Sequence, residues 1–173
     1  TSGAYSFGCY DSYPYILLNY TDTLKDVFTI IHEMGHSMHS RYTRDEQPYI
    51  YGSHSIFTAE VASTVNESLL MQHLLRTEDE KEMRKYLLNM HLEEFRTTLF
   101  RQTMFAEFEY IAHNAAEKGE PLTKDYLCGE YLKLNKKYYG EAVISDKEIS
   151  YEWARIPHFY TAFYVYKYAT GII

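Results

Sequence analysis

The feature that most constrains the fold is the stretch of residues 78–118, which contains neither proline nor glycine. Its apolar residues recur with a period near that of an α-helix that buries one face. Gly119 and Pro121 follow at once, and both residue types end helices. The stretch therefore predicts one very long helix or two helices in line, and a chain dominated by helix.

The first half of the chain predicts a strand and two further helices. Residues 13–21 (YPYILLNYT) are short and rich in strand formers, which favours a strand. A helix should begin at Thr21 or Thr23, because residues 23–26 (TLKD) resemble a capping box with Asp in place of Glu. That helix is expected to end after Arg41, and a loop then leads to a second helix over residues 56–75.

The last third of the chain predicts two more helices. Thr123 suits the N-cap of one of them, and Gly140 lies just past its end. A loop is expected through residues 144–157, where Pro157 suits the first turn of a final aromatic helix. The sequence thus predicts a mostly α fold with one strand or hairpin near the N-terminus, arranged as a single domain over residues 1–173.

Charge and composition argue against several classes of function. The net charge is −7 and basic residues form no long run, so the electrostatic footprint of a nucleic-acid binding protein is missing. No apolar segment is long enough to span a bilayer, which predicts no membrane association. Cys9 and Cys128 lack CxxC spacing and fit reduced thiols, so the predicted compartment is the cytoplasm.

The two ends of the sequence suggest that more chain belongs to it. It begins at Thr1 rather than at a methionine, and it ends just after a strongly apolar and aromatic segment. Such a segment is expected to be buried rather than terminal. We therefore expect the sequence to be a piece of a larger protein.

A polar trio lies inside the first predicted helix, in IHEMGHSMHS. Buried polar side chains cost free energy unless they have partners. His32 and His36 project from one helix face, one turn apart, which suits two nitrogen ligands of a tetrahedral cation. Glu33 on the flank can reach a water at the open position of such a metal and act as its general base. The HExxH pattern therefore indicates metal-assisted hydrolysis; the alternative is a helix whose histidines only hydrogen-bond within the core.

A catalytic zinc needs a third protein ligand, and the second predicted helix offers Glu60. An antiparallel return of the chain would bring Glu60 over the two histidines and leave the fourth position for water. Glu67 lies two turns further along nearly the same face, where it could accept a hydrogen bond from a ligand histidine, although a solvated helix position fits equally well. His39 and His54 are close in sequence but are left out of the metal site.

Four segments, in this order and at these distances, carry a family resemblance: GAYSFGCYDSYPYILLNY, HEMGHSMHS, FTAEVASTVNE and RIPHFYTAFYVYKYATG. They resemble the catalytic segment of oligoendopeptidase F, within the thimet oligopeptidase-like zinc metallopeptidases. The resemblance covers nearly the whole chain. It implies a helical zinc metallopeptidase with one zinc ion per chain, which hydrolyses short peptides in a deep channel walled in part by a preceding N-terminal lobe.

The resemblance also implies roles for individual residues. It matches the ligands and the base that spacing suggests: His32, His36, Glu60 and Glu33. His158 and Tyr166 match residues that bind the substrate carbonyl and stabilise the oxyanion, and Tyr160 matches a substrate-binding residue. Phenol and imidazolium groups suit this task, because attack by water places negative charge on the carbonyl oxygen.

Two other functions remain open from the sequence. A metallocarboxypeptidase of similar helical build would need a cationic residue for the terminal carboxylate of its substrate, and Arg155 is the nearby candidate. A non-catalytic peptide-binding module would use zinc only to staple two helices. A structural site of that kind would be closed by four protein ligands.

Overall fold

The computed structural model describes residues 3–172, and these residues form two compact units. One unit contains residues 3–94 and 170–172, and the other contains residues 95–169. The termini of the predicted single domain, residues 1, 2 and 173, lie outside the described residues. The described part contains six α-helices and an N-terminal hairpin, which confirms the predicted fold class. Within residues 3–172, no helix combines the length and apolar character needed to cross a bilayer.

The N-terminal hairpin pairs strand β1 (Ala4–Phe7) with strand β2 (Tyr15–Leu18) in antiparallel register. The observed strand β2 is thus shorter than the strand predicted over residues 13–21. Pro14 precedes β2, and Asp11 in the connection adopts a positive φ of 61°, which turns the chain. A hydrogen bond of 2.8 Å between the hydroxyls of Ser6 and Ser37 connects the hairpin to the first helix.

Helix α1 (Leu24–Glu46) begins as the sequence predicts. Thr23 is its N-cap, and the Thr23 and Asp26 side chains each bond the other residue's backbone N–H, forming the capping box. The helix ends five residues later than expected, so the prediction of a loop directly after Arg41 is wrong. An ion pair of 2.7 Å between Arg41 and Asp45 supports the extra turn, which stops at Gln47, immediately before Pro48.

Helix α2 (Val61–Thr77) begins later than the predicted residue 56. The residues before it form two short 3₁₀ turns, Tyr49–Tyr51 and Ile56–Thr58. Glu60 occupies the N-cap position, so it precedes the helix instead of lying within it. Helices α1, α2 and α3 (Lys81–Glu94) share a core formed by Phe28, Met71 and Leu87.

Most of the stretch of residues 78–118 is helical, from residue 81 to residue 117, but the type of helix changes within it. Helix α3 is followed by a π-helical segment, Phe95–Phe100, and then by helix α4 (Arg101–Glu117). The division between the two units falls at the start of the π segment. Gly119, with a φ of +73°, follows the end of α4, as expected for a residue that stops a helix.

The second unit is built on α4 and helix α5 (Lys124–Tyr139). Thr123 caps α5 and Gly140 ends it with a φ of +67°, both as predicted. The core of this unit is aromatic and aliphatic, and its buried members are Met104, Phe105, Phe108, Tyr131, Leu134, Ile156 and Val165.

Two predictions for the C-terminal part are wrong. The expected loop over residues 144–157 contains a 3₁₀ helix, Glu148–Arg155. The buried carboxylate of Glu152 stabilises this helix, because it accepts hydrogen bonds of 2.7 Å from Arg101 and Tyr131. Pro157 starts only a short 3₁₀ turn, Pro157–Tyr160, and helix α6 begins at Tyr166 (Tyr166–Ile172). Phe163 lies between them with a positive φ of 54°, which a right-handed helix cannot accommodate.

Candidate metal centre

Helix α1 presents two imidazole nitrogens side by side. His32 and His36 lie one turn apart, and their Nε2 atoms are separated by 3.1 Å. The ring centroids are 4.7 Å apart, with the planes nearly perpendicular. Two ring nitrogens at this separation repel each other if both are protonated, and also if both present a lone pair. A shared proton or a bound cation between the two nitrogens therefore stabilises the pair.

Glu60 completes a triangle of donor atoms. Its Oε2 lies 3.4 Å from the Nε2 atom of His32 and 3.4 Å from that of His36. The residue is only 4% exposed, and the Ser63 hydroxyl, 3.1 Å from the same Oε2, helps to orient the carboxylate. The structure therefore brings together the three ligands that the sequence predicts.

The distances within this triangle fit a tetrahedral zinc ion. Donors at about 2.0–2.1 Å from a tetrahedral zinc lie about 3.3 Å from one another. The three donor–donor distances here are 3.1, 3.4 and 3.4 Å. The histidine side chains are 25% and 21% exposed, so solvent reaches the cluster. Two imidazoles and one carboxylate also form a ligand set that catalytic zinc sites use.

Close packing of α1 on α2 sets the position of Glu60. A Cβ atom on Gly35 would lie 2.5 Å from the Cα atom of Ser63, so only glycine fits there. On its other side Glu60 is in contact with Gly171, whose carbonyl accepts a hydrogen bond of 2.5 Å from Thr64. Gly35 is not among the site residues that the sequence predicts, although it lies inside the HExxH motif.

Carboxylates on both sides of His32 raise the pKa of its ring when no metal is bound. Burial lowers the pKa of His32, but hydrogen bonds to Glu60 and Glu67 outweigh burial and raise the pKa to about 10. Glu67 faces the other ring nitrogen, with its Oε1 3.3 Å from Nδ1. Glu67 thus lies beside a candidate ligand histidine rather than at a solvated helix position, the other possibility that the sequence left open.

The other two histidines of this region pair with each other. His39 and His54 stack with ring centroids 4.0 Å apart and planes 15° from parallel. Burial, with smaller contributions from neighbouring histidines and Arg44, lowers the pKa of His54 to about 4, and burial and His36 lower that of His39. Among residues 3–172, the group of side chains that could hold a metal ion consists of His32, His36 and Glu60.

Glu33, the candidate base, follows His32 on α1. Its side chain is buried, with 7% of the residue exposed. Successive residues on a helix are rotated by about 100° from each other, so Glu33 lies on the flank of the face that carries the histidines. Its position inside the HExxH motif is the feature of the sequence that predicts this role for Glu33.

The remaining candidate residues belong to the second unit. His158 is exposed and stacks on Tyr164 with ring centroids 5.7 Å apart. Tyr160 is 89% exposed, and Tyr166 is the partly buried first residue of α6. All three are therefore at least partly accessible. Tyr168 is also partly buried, and it packs on the aromatic core of this unit.

Arg155, the residue considered for a carboxypeptidase, also lies in the second unit. Its guanidinium pairs with the buried carboxylate of Glu152. Its charge is therefore partly neutralised within the fold.

Comparison with known proteins identifies similar sequences and structures. The model of peptidase family M3 matches residues 1–172. Oligopeptidase PepF of Bacillus subtilis is 56% identical over 170 residues, which cover 98% of this chain and 25% of the relative. The oligoendopeptidase F homolog of Borreliella burgdorferi is 48% identical over 172 residues, or 99% of this chain and 29% of the relative.

A solved structure has the same fold. The crystal structure of oligoendopeptidase-F from Enterococcus faecium matches 86% of this chain and 26% of that chain, with a TM-score of 0.71 and 52% identity. The chain thus spans between about a quarter and a third of the length of these relatives.

Proposed function

Because the chain belongs to peptidase family M3, we propose that it is the catalytic segment of a zinc metalloendopeptidase that hydrolyses short peptides. The observation that carries the proposal is the triangle of donor atoms on His32, His36 and Glu60, whose distances of 3.1–3.4 Å suit zinc. Relatives named oligoendopeptidase F support the substrate class.

In this proposal His32, His36 and Glu60 hold one zinc ion. A zinc ion held there would supply Lewis-acid chemistry, which would polarise the scissile carbonyl and make the attacking water more acidic. Ser63 and Glu67 keep the ligands in place, through the contacts of 3.1 Å to Glu60 and 3.3 Å to His32. Proteins commonly fix the orientation of a metal-bound histidine in this way, by an acceptor on its other nitrogen.

Glu33 acts as the general base. It takes a proton from the attacking water and then gives a proton to the leaving amine, as one carboxylate can do in both halves of a hydrolysis. A carboxylate in a largely buried position suits this task, because proton transfer there competes less with bulk water. His32, Glu33 and His36 lie on α1, and Glu60 lies at the N-cap of α2.

His158 and Tyr166 donate hydrogen bonds to the carbonyl oxygen as negative charge develops on it. Tyr160 binds the substrate, and its exposure of 89% leaves its ring and hydroxyl available for this contact. The assignment of these three roles rests on the family resemblance.

The relatives are about three to four times as long as this chain, so we further propose that an N-terminal lobe of the same protein completes the substrate channel. We refer to that longer molecule as the full-length protein. The free thiols Cys9 and Cys128 suit the reducing cytoplasm, the compartment we propose for it.

A peptide assay separates this function from the two alternatives. The full-length protein with zinc is given a quenched fluorescent peptide amidated at its C-terminus and the same peptide with a free C-terminus. We expect cleavage at an internal bond of both peptides, and no cleavage of either by the Glu33→Gln variant. Removal of a terminal residue from the free peptide alone would indicate a carboxypeptidase. Zinc binding without cleavage of either peptide would indicate a non-catalytic module.

A further inference from the structure

The chain makes a turn between the candidate residues His158 and Tyr166. Phe163, in this turn, has a φ of +54°, a left-handed conformation that is uncommon for a bulky residue. A residue other than glycine keeps such a conformation only where its surroundings fix it. A group that holds Phe163 therefore controls how the chain passes from one candidate residue to the other.

The side chain of Glu109, on helix α4, holds the turn. The Phe163 N–H donates a hydrogen bond of 2.6 Å to Oε1 of Glu109. Glu109 is only 4% exposed, and a carboxyl group in such a position needs hydrogen-bond partners. One helical turn later, the ring of His113 lies against that of Phe163, with centroids 4.7 Å apart. Phe108 anchors this part of α4 in the core of the second unit, so the turn rests on a fixed base.

The turn also determines what surrounds the two candidate residues. Tyr164 follows Phe163, and its ring stacks on that of His158 with centroids 5.7 Å apart and planes 13° from parallel. Val165 comes next and is fully buried in the core of the second unit. Tyr166 then begins α6. A change in the backbone of Phe163 would therefore move both the ring beside His158 and the first residue of α6.

We propose that Glu109 is a positioning residue for peptide hydrolysis, which acts through its hydrogen bond to the N–H of Phe163. That bond holds the turn, and the turn places His158 and Tyr166. The inference rests on the roles proposed for these two residues as donors to the carbonyl oxygen. A small misplacement of groups that act in the transition state can lower a rate about a hundredfold.

Steady-state kinetics of the full-length protein with zinc test this role. Glu109→Ala should lower kcat for a quenched fluorescent peptide about tenfold or more while KM changes little, because the donors used in the transition state are displaced. Glu109→Gln should turn over nearly as the wild type does, since its amide oxygen can accept the Phe163 N–H. Glu107→Ala is the matched control on the same helix and should leave kcat unchanged, because Glu107 pairs with Lys137 of α5 instead.

Amide hydrogen exchange follows the hydrogen bond itself, without an activity assay. The Phe163 amide should exchange slowly in the wild type and in Glu109→Gln, and much faster in Glu109→Ala. Zinc content and thermal unfolding are measured on the same samples, so that a general loss of structure is detected. If Glu109→Ala does not fold, Glu109→Leu, which keeps the bulk of the side chain but has no acceptor, takes its place.

A double-mutant cycle tests whether Glu109 acts through Tyr166. In the Tyr166→Phe background, Glu109→Ala should cause a smaller loss of kcat than it does in the wild type. Unchanged kcat in Glu109→Ala, equal losses in the Ala and Gln variants, or additive losses in the cycle would overturn the proposal. Loss of zinc together with activity in Glu109→Ala, or fast exchange of the Phe163 amide in the wild type, would overturn it as well. Failure of the wild type to cleave the peptide would instead overturn the proposed function, on which this inference rests.

Discussion

Gly35 of α1 lies against Ser63 of α2 so closely that a Cβ atom on Gly35 would be 2.5 Å from the Ser63 Cα atom and 2.7 Å from the carbonyl oxygen of Ala62. Backbone atoms cannot move aside as the end of a flexible side chain can. Ser63 also donates a hydrogen bond to Glu60. The absence of a side chain at Gly35 therefore determines how close Glu60 comes to the two histidines.

Gly35→Ala is expected to separate α1 from α2 and to weaken zinc binding. Overpacking of this kind costs about 1–3 kcal/mol of stability. Displacement of Glu60 should lower zinc affinity about tenfold or more. Chelator competition and thermal unfolding measure the two effects.

Gly129→Ala provides the control for this substitution. Gly129 lies in α5, and a Cβ atom there would have no heavy atom within 4 Å. Replacing glycine by alanine inside a helix gains about 0.5–1 kcal/mol. The control should therefore be as stable as the wild type or more so, with unchanged zinc affinity. Equal behaviour of the two variants would show that the helix contact does not set the site.

Glu33→Gln separates proton transfer from metal binding. The amide cannot accept a proton from water, so the full-length protein should keep its zinc and its fold but lose nearly all peptide hydrolysis. Metal content and turnover of a quenched peptide are measured on the same sample. Loss of zinc together with activity would assign Glu33 to the metal site instead.

Tyr166→Phe tests the oxyanion role in the full-length protein. It removes a hydroxyl used mainly in the transition state, so kcat should fall by on the order of a hundredfold while KM stays nearly constant. Tyr168→Phe is the control, because Tyr168 packs on the core of the second unit and its ring remains after substitution. A loss of thermal stability without a loss of turnover in Tyr166→Phe would return this residue to a packing role.

The capping box of α1 predicts a dependence of stability on pH. Hydrogen bonds from the Thr21 hydroxyl and from Thr23 lower the pKa of Asp26 to about 2. Because the pKa is lower in the folded state, the stabilisation is complete above the unfolded value of about 3.9 and is lost as the pH falls towards 2.

Asp26→Asn should therefore be less stable than the wild type at neutral pH, and the difference should shrink between about pH 4 and pH 2. Denaturant unfolding at several pH values measures the difference, and an NMR titration measures the pKa of the carboxyl group. A titration midpoint near 4 would show that the capping box does not form in solution.

Features governed by local spacing could be predicted from the sequence. The caps at Thr23 and Thr123 depend on residues within one turn, and both are present. His32 and His36 are brought together by the helix repeat alone. The prediction for Glu60 required only that the chain after α1 return over the two histidines. Glu60 could therefore be predicted as a third donor, although it precedes α2.

Features that depend on contacts distant in sequence were missed. The positive φ of Phe163 ends the expected C-terminal helix, and the Phe163 N–H donates a hydrogen bond of 2.6 Å to Glu109 on α4. Nothing in the local sequence indicates that contact. The close approach at Gly35 likewise arises only when helices pack. The π segment carries neither proline nor glycine to mark it.

Zinc K-edge X-ray absorption on the chain loaded with one equivalent of zinc identifies the atoms that bind the metal. If His32, His36 and Glu60 hold the zinc, the spectrum should show two imidazole nitrogens and one carboxylate oxygen at about 2.0–2.2 Å, with one further light atom from solvent. In the Glu60→Ala variant one protein oxygen should be replaced by solvent, and zinc affinity should fall by orders of magnitude. A wild-type spectrum that requires three or four imidazoles, or an unchanged affinity in Glu60→Ala, would contradict the site and return His39 and His54 as ligands.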